Sequence, residues 1–222
     1  MEKVRQFGYK EYVAAHKVEF VNSVIHALGV LFGVVAIPIL TSVALKNDHR
    51  YAIIGAFVYG LSFLMVFTFS TLYHGFQKQP LKHTFKILDH ISIYFLISGT
   101  YTPFLLKYMN NETGNLMLIT LWGLTIIGTI YKIFYVDRYN IFSTIVYLIM
   151  GWMFVFVGPT FFGSMPHTVG WLINTGAILY SVGVVFYLWK KWCYNHAIWH
   201  ILVLTASIFH YLAVLISVES IT

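Results

Sequence analysis

Residues 196–218 read HAIWHILVLTASIFHYLAVLISV, a run without a single Lys, Arg, Asp or Glu. An apolar stretch of about 20 residues is long enough to cross the hydrocarbon core of a bilayer as a helix. Only three histidines break its apolar character, and an ionisable group in hydrocarbon is costly enough to call for a compensating interaction. His196 and His200 stand four apart, so their rings share one helical face about a turn apart, a spacing suited to holding one metal ion. His210 lies ten residues beyond His200, about 15 Å further along the axis at ~1.5 Å per residue. It is too distant to share that ion and is expected to make an interhelical hydrogen bond or to line a cavity.

The remainder of the chain repeats this pattern. Of 222 residues, 59% are hydrophobic and 10% charged, with a mean hydropathy of +0.74; a soluble domain carries about 25% charged residues. The expected fold is an all-α integral membrane protein, a bundle of seven transmembrane helices at roughly 20–45, 51–75, 87–108, 114–134, 141–161, 168–189 and 196–218. Residues 1–19 form an N-terminal arm, and 20–218 one membrane domain. The connections are short, which favours antiparallel neighbours, and there is no internal repeat. No short apolar core with a small-residue cleavage site opens the chain, so no cleaved signal peptide is expected.

The net charge of +6 is best read by position. Of the 14 Lys and Arg residues, Lys3, Arg5, Lys10, Lys17, Lys78, Lys82, Lys86, Lys132, Arg138, Lys190 and Lys191 fall on one side of the alternating spans. Lys46, Arg50 and Lys107 fall on the other. The excess marks the cytoplasmic side, which puts the N-terminus in the cytoplasm and the C-terminus outside. The basic balance is thus topological, and no nucleic-acid partner is expected. The sole cysteine, Cys193, excludes an internal disulfide and a cysteine-rich zinc site.

Under that topology His74 closes the second span, Asp89 opens the third, and His196 and His200 open the seventh, all at the cytoplasmic end. Each has a plainer reading: an imidazole reaching the headgroups, or an aspartate capping a helix. Their joint position favours a metal site. Three neutral imidazoles leave the fourth place of a tetrahedral Zn2+ open, the catalytic pattern; Asp89 then acts as general base or orienting group, with Ser70 offering a hydroxyl beside it. Glu19, Asn22 and His26, spaced three and four apart on the first span, either pack between helices or support the ligands from behind. His90 points about 100° away from Asp89 and is not expected to bind the ion. Gly29 and Gly33 read as close helix packing; the Gly99, Thr102 and Pro103 cluster and Pro159 read as kinks or close contacts.

These residues together carry a resemblance: Glu19-x-x-Asn22-x-x-x-His26, Ser70-x-x-x-His74, Asp89, and His196-x-x-x-His200 with His210. The chain resembles the bacterial hemolysin III proteins, part of a wider group that includes the progestin and adiponectin receptors. The resemblance implies a seven-helix bundle with zinc near the cytoplasmic face, held by His74, His196 and His200, with Asp89 against the ion's water. It also implies hydrolysis of a ceramide-like lipid amide, since adiponectin receptors are associated with ceramide hydrolysis. Membrane lipid is then the substrate and the plasma membrane the location. The alternatives are a pore-forming cytolysin, as the bacterial name suggests, and a membrane receptor or sensor without catalysis. The long soluble N-terminal domain of the animal receptors is missing, so hormone binding is not implied.

Overall fold

The structure, a computed structural model, describes residues 9–47, 50–189 and 191–219, with side chains from His16 onward. Lys3, Arg5 and Lys190 of the charge count lie outside the described residues. Eight helical segments follow in order: α1 (Tyr9–Lys46), α2 (Arg50–Gly75), α3 (Leu81–Tyr108), α4 (Glu112–Tyr135), α5 (Asn140–Gly151), α6 (Phe154–Gly163), α7 (His167–Leu188) and α8 (Asn195–Glu219). Among the described residues there is no strand. Helix α1 runs back to Tyr9, well into the expected arm.

Six helices are long and apolar enough to cross a membrane: α1 from His16, α2, α4, α5 with α6 as Asn140–Gly163, α7 and α8. Seven such spans were expected, and α3 is the one that falls short. At 28 residues its length suffices, but it carries Asp89, His90, Ser92, Ser98, Thr100 and Thr102 in its middle. The packing accounts for this composition. Helix α3 lies against α2, α4, α5 and α8, so its polar groups meet protein instead of lipid. Ser98 Oγ, for example, donates to the Leu121 carbonyl at 3.1 Å. Helices α1, α2, α3, α5, α7 and α8 succeed one another around the bundle, α8 closes on α1, and α4 is applied to the outside of α3.

The outer surface is apolar, the reverse of a soluble protein. Phe156 is 84% exposed and Trp171 74%, and α4 turns Leu116, Ile119, Ile126, Ile127, Ile130 and Ile133 outward. Its opposite face, Gly114, Met117, Leu121, Thr125, Gly128 and Lys132, is buried. Steps of three and four along that stripe are the helical repeat. Small residues set the helix spacing. A Cβ on Gly29 would lie 2.2 Å from the Phe67 ring, and one on Gly33 2.9 Å from Leu64, so both glycines admit α2 against α1 as their spacing suggested. Gly99 lies as close to Ser62, and Pro103 to Gly55.

The span Asn140–Gly163 is broken at Trp152 and Met153, and it bends again at Gly158, whose φ of +29° precedes Pro159. A break exposes orphan carbonyls and amides, which hydrocarbon cannot satisfy. Tyr101 of α3 meets both sides of the first break. Its hydroxyl donates to the Gly151 carbonyl at 2.8 Å and accepts from the Phe154 amide at 3.2 Å. Tyr101→Phe leaves both groups unpaired, at about 1–3 kcal/mol for each buried group. The expected result is a clearly lower melting temperature in detergent, with metal content unchanged.

Candidate metal centre

Four helix ends meet where the sequence analysis placed its residues. Helix α2 supplies His74 near its C-terminus, α8 supplies His196 and His200 in its first two turns, α1 supplies Glu19, Asn22 and His26, and α3 supplies Asp89. One nitrogen from each of His74, His196 and His200 lies within 4.8 Å of the other two. The Nε2 atoms of His74 and His200 are 3.1 Å apart. Two nitrogens that are each ~2.0–2.1 Å from one tetrahedral ion sit about 3.3 Å apart, so this pair is close to the spacing that a shared zinc requires. The His196 ring centroid is 4.3 Å from that of His200 and 5.4 Å from that of His74. The donors are three imidazoles and no thiol, a set that suits zinc.

The far side of two rings is held. His74 Nδ1 meets Glu19 Oε2 at 2.9 Å, and the same oxygen accepts from Lys82 Nζ at 3.2 Å. With its Nδ1–H directed at the carboxylate, His74 presents the lone pair of Nε2 to the cluster, the orientation that metal-binding histidines commonly have. His200 Nδ1 lies 2.6 Å from His26 Nε2. For His200 to offer Nε2 as a ligand atom, its Nδ1 carries the proton and donates to His26, which fixes the tautomer of both rings. Asn22 is buried, but no hydrogen bond joins it to the cluster, and its Oδ1 has no partner.

Two of the plainer readings fail on these observations. His74 and His200 are buried and so do not reach out to headgroups. Asp89 caps nothing, because α3 begins at Leu81, two turns earlier. Asp89 stands instead beside the buried Ser70 hydroxyl. Both line a cavity of about 310 Å³ that His196 and His200 also reach. The cavity continues past Ile93, Ile97 and Val203 to His210. His210 does both things its position suggested: it lines this cavity, and its Nε2 donates to the Ile173 carbonyl at 3.1 Å.

The family described as haemolysin-III related matches residues 14–211, which span every residue of this cluster. The chain belongs to the haemolysin-III related family. Its relatives include "Hemolysin-3 homolog" of Bacillus subtilis (strain 168), 39% identical over 86% of this chain and 90% of the relative. "Hemolysin-3" of Bacillus cereus is 40% identical over 90% of this chain and 91% of the relative. The human "Monocyte to macrophage differentiation factor" is 31% identical over 76% and 72%. No solved structure matches the chain closely. Within this haemolysin-III related chain, sequence reasoning missed the contact of Lys82 with Glu19, because Lys82 was counted only as a topology-setting charge.

Proposed function

We propose that this protein is a zinc-dependent hydrolase of a ceramide-like lipid amide, embedded in the plasma membrane with α3 as a seventh span, the N-terminus in the cytoplasm and the C-terminus outside. The observation that carries the reading is the 3.1 Å approach of His74 Nε2 to His200 Nε2, backed by Glu19 and His26, at the end of a largely apolar cavity. His74, His196 and His200 would hold the ion. When bound, zinc supplies Lewis-acid polarisation of an acyl carbonyl and makes water more acidic. The Asp89 carboxylate takes the proton of the attacking water and passes it to the leaving nitrogen, and the Ser70 hydroxyl holds Asp89 in place. The cavity receives an acyl chain. It holds roughly 310 Å³ and reaches from the level of His200 to that of His210, ~15 Å along α8.

Purified protein in detergent, supplied with ceramide, should release fatty acid, and a chelator should stop the release. Turnover that persists once the chelator has removed the metal would reject the reading. Glu19→Gln removes the charge that His74 donates to. Zinc affinity is expected to fall about 10–100-fold, as it does when a carboxylate behind a metal-bound histidine is lost. Titration with a competing zinc chelator measures it.

The second reading, a cytolysin, is favoured by the names of the Bacillus relatives. A pore needs a polar path through the bilayer, whereas the outer face of α4 and the far part of the cavity are apolar. Dye release from liposomes that persists in the presence of chelator would support the pore over the enzyme.

A further inference from the structure

Lys132 is the most anomalous charge in the bundle. It lies in the last turns of α4 and is 0% exposed, and its ammonium makes no hydrogen bond among the described residues. The Tyr131 ring centroid lies 6.0 Å from its Nζ. A lysine at a helix end in lipid ordinarily extends along apolar surface to reach water. This one does not, because it falls on the inward stripe of α4 and lines the cavity described above.

It takes part in no ion pair among the described residues. Lys86 and Asp137 are the charges that bear on it. Asp137 is committed elsewhere: its Oδ1 accepts from Lys86 Nζ at 2.5 Å and its Oδ2 is 3.8 Å from His83. The hydrogen bond from Lys86 holds the Asp137 carboxyl below the usual carboxylate range. Lys86 and Asp137 thus cancel one another, and a positive charge is left over inside the cavity. Burying an ammonium without a hydrogen-bonding partner is among the costliest arrangements in a protein.

Two further polar atoms belong to the same cavity. Asn140 Oδ1 and Ser143 Oγ, at the start of α5, are buried without hydrogen-bond partners among the described residues, and both residues line it with Lys132. The register of α3 and α4 sets the depth. A Cβ on Gly128 would touch the Tyr94 ring, so one turn further along each antiparallel helix brings Lys132 to the level of His90. That is next to Asp89 in sequence, and His196 and His200 of the cluster line the same cavity.

We propose that Lys132 and Ser143 form an anion-binding subsite in the cavity, taking the phosphate or carboxylate of a lipid whose chain lies along the apolar wall. An ammonium and a hydroxyl donate to anionic oxygens. The subsite rests on the hydrolase reading only for its substrate class, which it narrows from neutral ceramide-like amides to lipid amides that also carry an acidic group near the bond at the histidine cluster. As a binding site it does not depend on that reading.

The test uses the full chain in detergent, with binding followed by thermal shift and native mass spectrometry. Three probes are compared: lysophosphatidic acid, the uncharged monoacylglycerol with the same acyl chain, and inorganic phosphate. Lysophosphatidic acid is expected to bind Lys132→Met about 10–100-fold more weakly than wild type, the loss expected for one charged hydrogen bond. Monoacylglycerol should bind the two equally. Lys132→Arg should retain most of the affinity, and Ser143→Ala should lose part of it, which keeps the test decisive if Lys132→Met fails to fold. Binding of inorganic phosphate that Lys132→Met abolishes would support the subsite with a free anion as its source. Equal binding of lysophosphatidic acid by wild type, Lys132→Met and Ser143→Ala, or none by wild type, would overturn it. His196→Ala separates the two readings: anion binding should survive there whether or not turnover does.

Discussion

His196→Ala is expected to strip the protein of zinc and of turnover together. Removing even a group behind a metal-bound histidine costs about 10–100-fold in affinity, so loss of a ligand should exceed about 100-fold. The choice of His196 over its neighbours matters. His74 and His200 are buried, and each is tied to a second side chain, so their removal also leaves Glu19 or His26 unpaired and confuses folding with binding. His196 is half-buried and makes no hydrogen bond to another side chain in the cluster. Its alanine variant should therefore melt like the metal-free wild type. Elemental analysis of purified protein should find about one zinc per wild-type chain and less than about a tenth of that in the variant. Stoichiometric zinc in His196→Ala, at wild-type affinity, would remove the three-histidine centre from consideration.

The convergence of His74, His196 and His200 was legible because two simple periodicities determine it. Apolar runs of bilayer length alternate in direction, and residues four apart share a face. Neither depends on knowing the side-chain packing. The helix boundaries were less legible where helix and apolar run part company. Helix α3 starts at Leu81, six residues before the hydropathy rises at about residue 87, which turned Asp89 from a candidate cap into a group on the helix wall. Its polar composition was legible too, but what it means was not: only the packing against four neighbours shows why such a helix can stand inside the bundle.

Lys132 marks the other limit. In one dimension it is a lysine near the end of an apolar span, the position from which lysines reach for the headgroups, and it was counted with the topology-setting charges. The stripe Gly114, Met117, Leu121, Thr125, Gly128 and Lys132 was present in the sequence all along. Small and polar residues at that spacing mark the face that packs on protein, and had they been read first they would have turned Lys132 inward. Tyr101 gave no such signal. Its role depends on a helix break fifty residues later in the chain, and nothing local to Tyr101 reports it.

Asp89→Asn should do what His196→Ala cannot: abolish turnover while leaving zinc in place. Asp89 is not one of the three residues whose nitrogens converge, and the amide keeps its shape, so neither the ligand set nor the packing around Ser70 is disturbed. What changes is the capacity to accept a proton. A positioned general base contributes about 10²–10⁴-fold, and turnover of a ceramide substrate should fall by that factor with zinc content within about twofold of wild type. The pair of variants divides the proposal into its parts. Zinc retained and turnover lost in Asp89→Asn, set against both lost in His196→Ala, assigns the proton transfer to the carboxylate and the ion to the imidazoles. Asp89→Asn that turns over within about threefold of wild type would leave the attacking water without its base. Asp89 would then be reduced to a polar group facing Ser70, and the case for hydrolysis would rest on the metal alone.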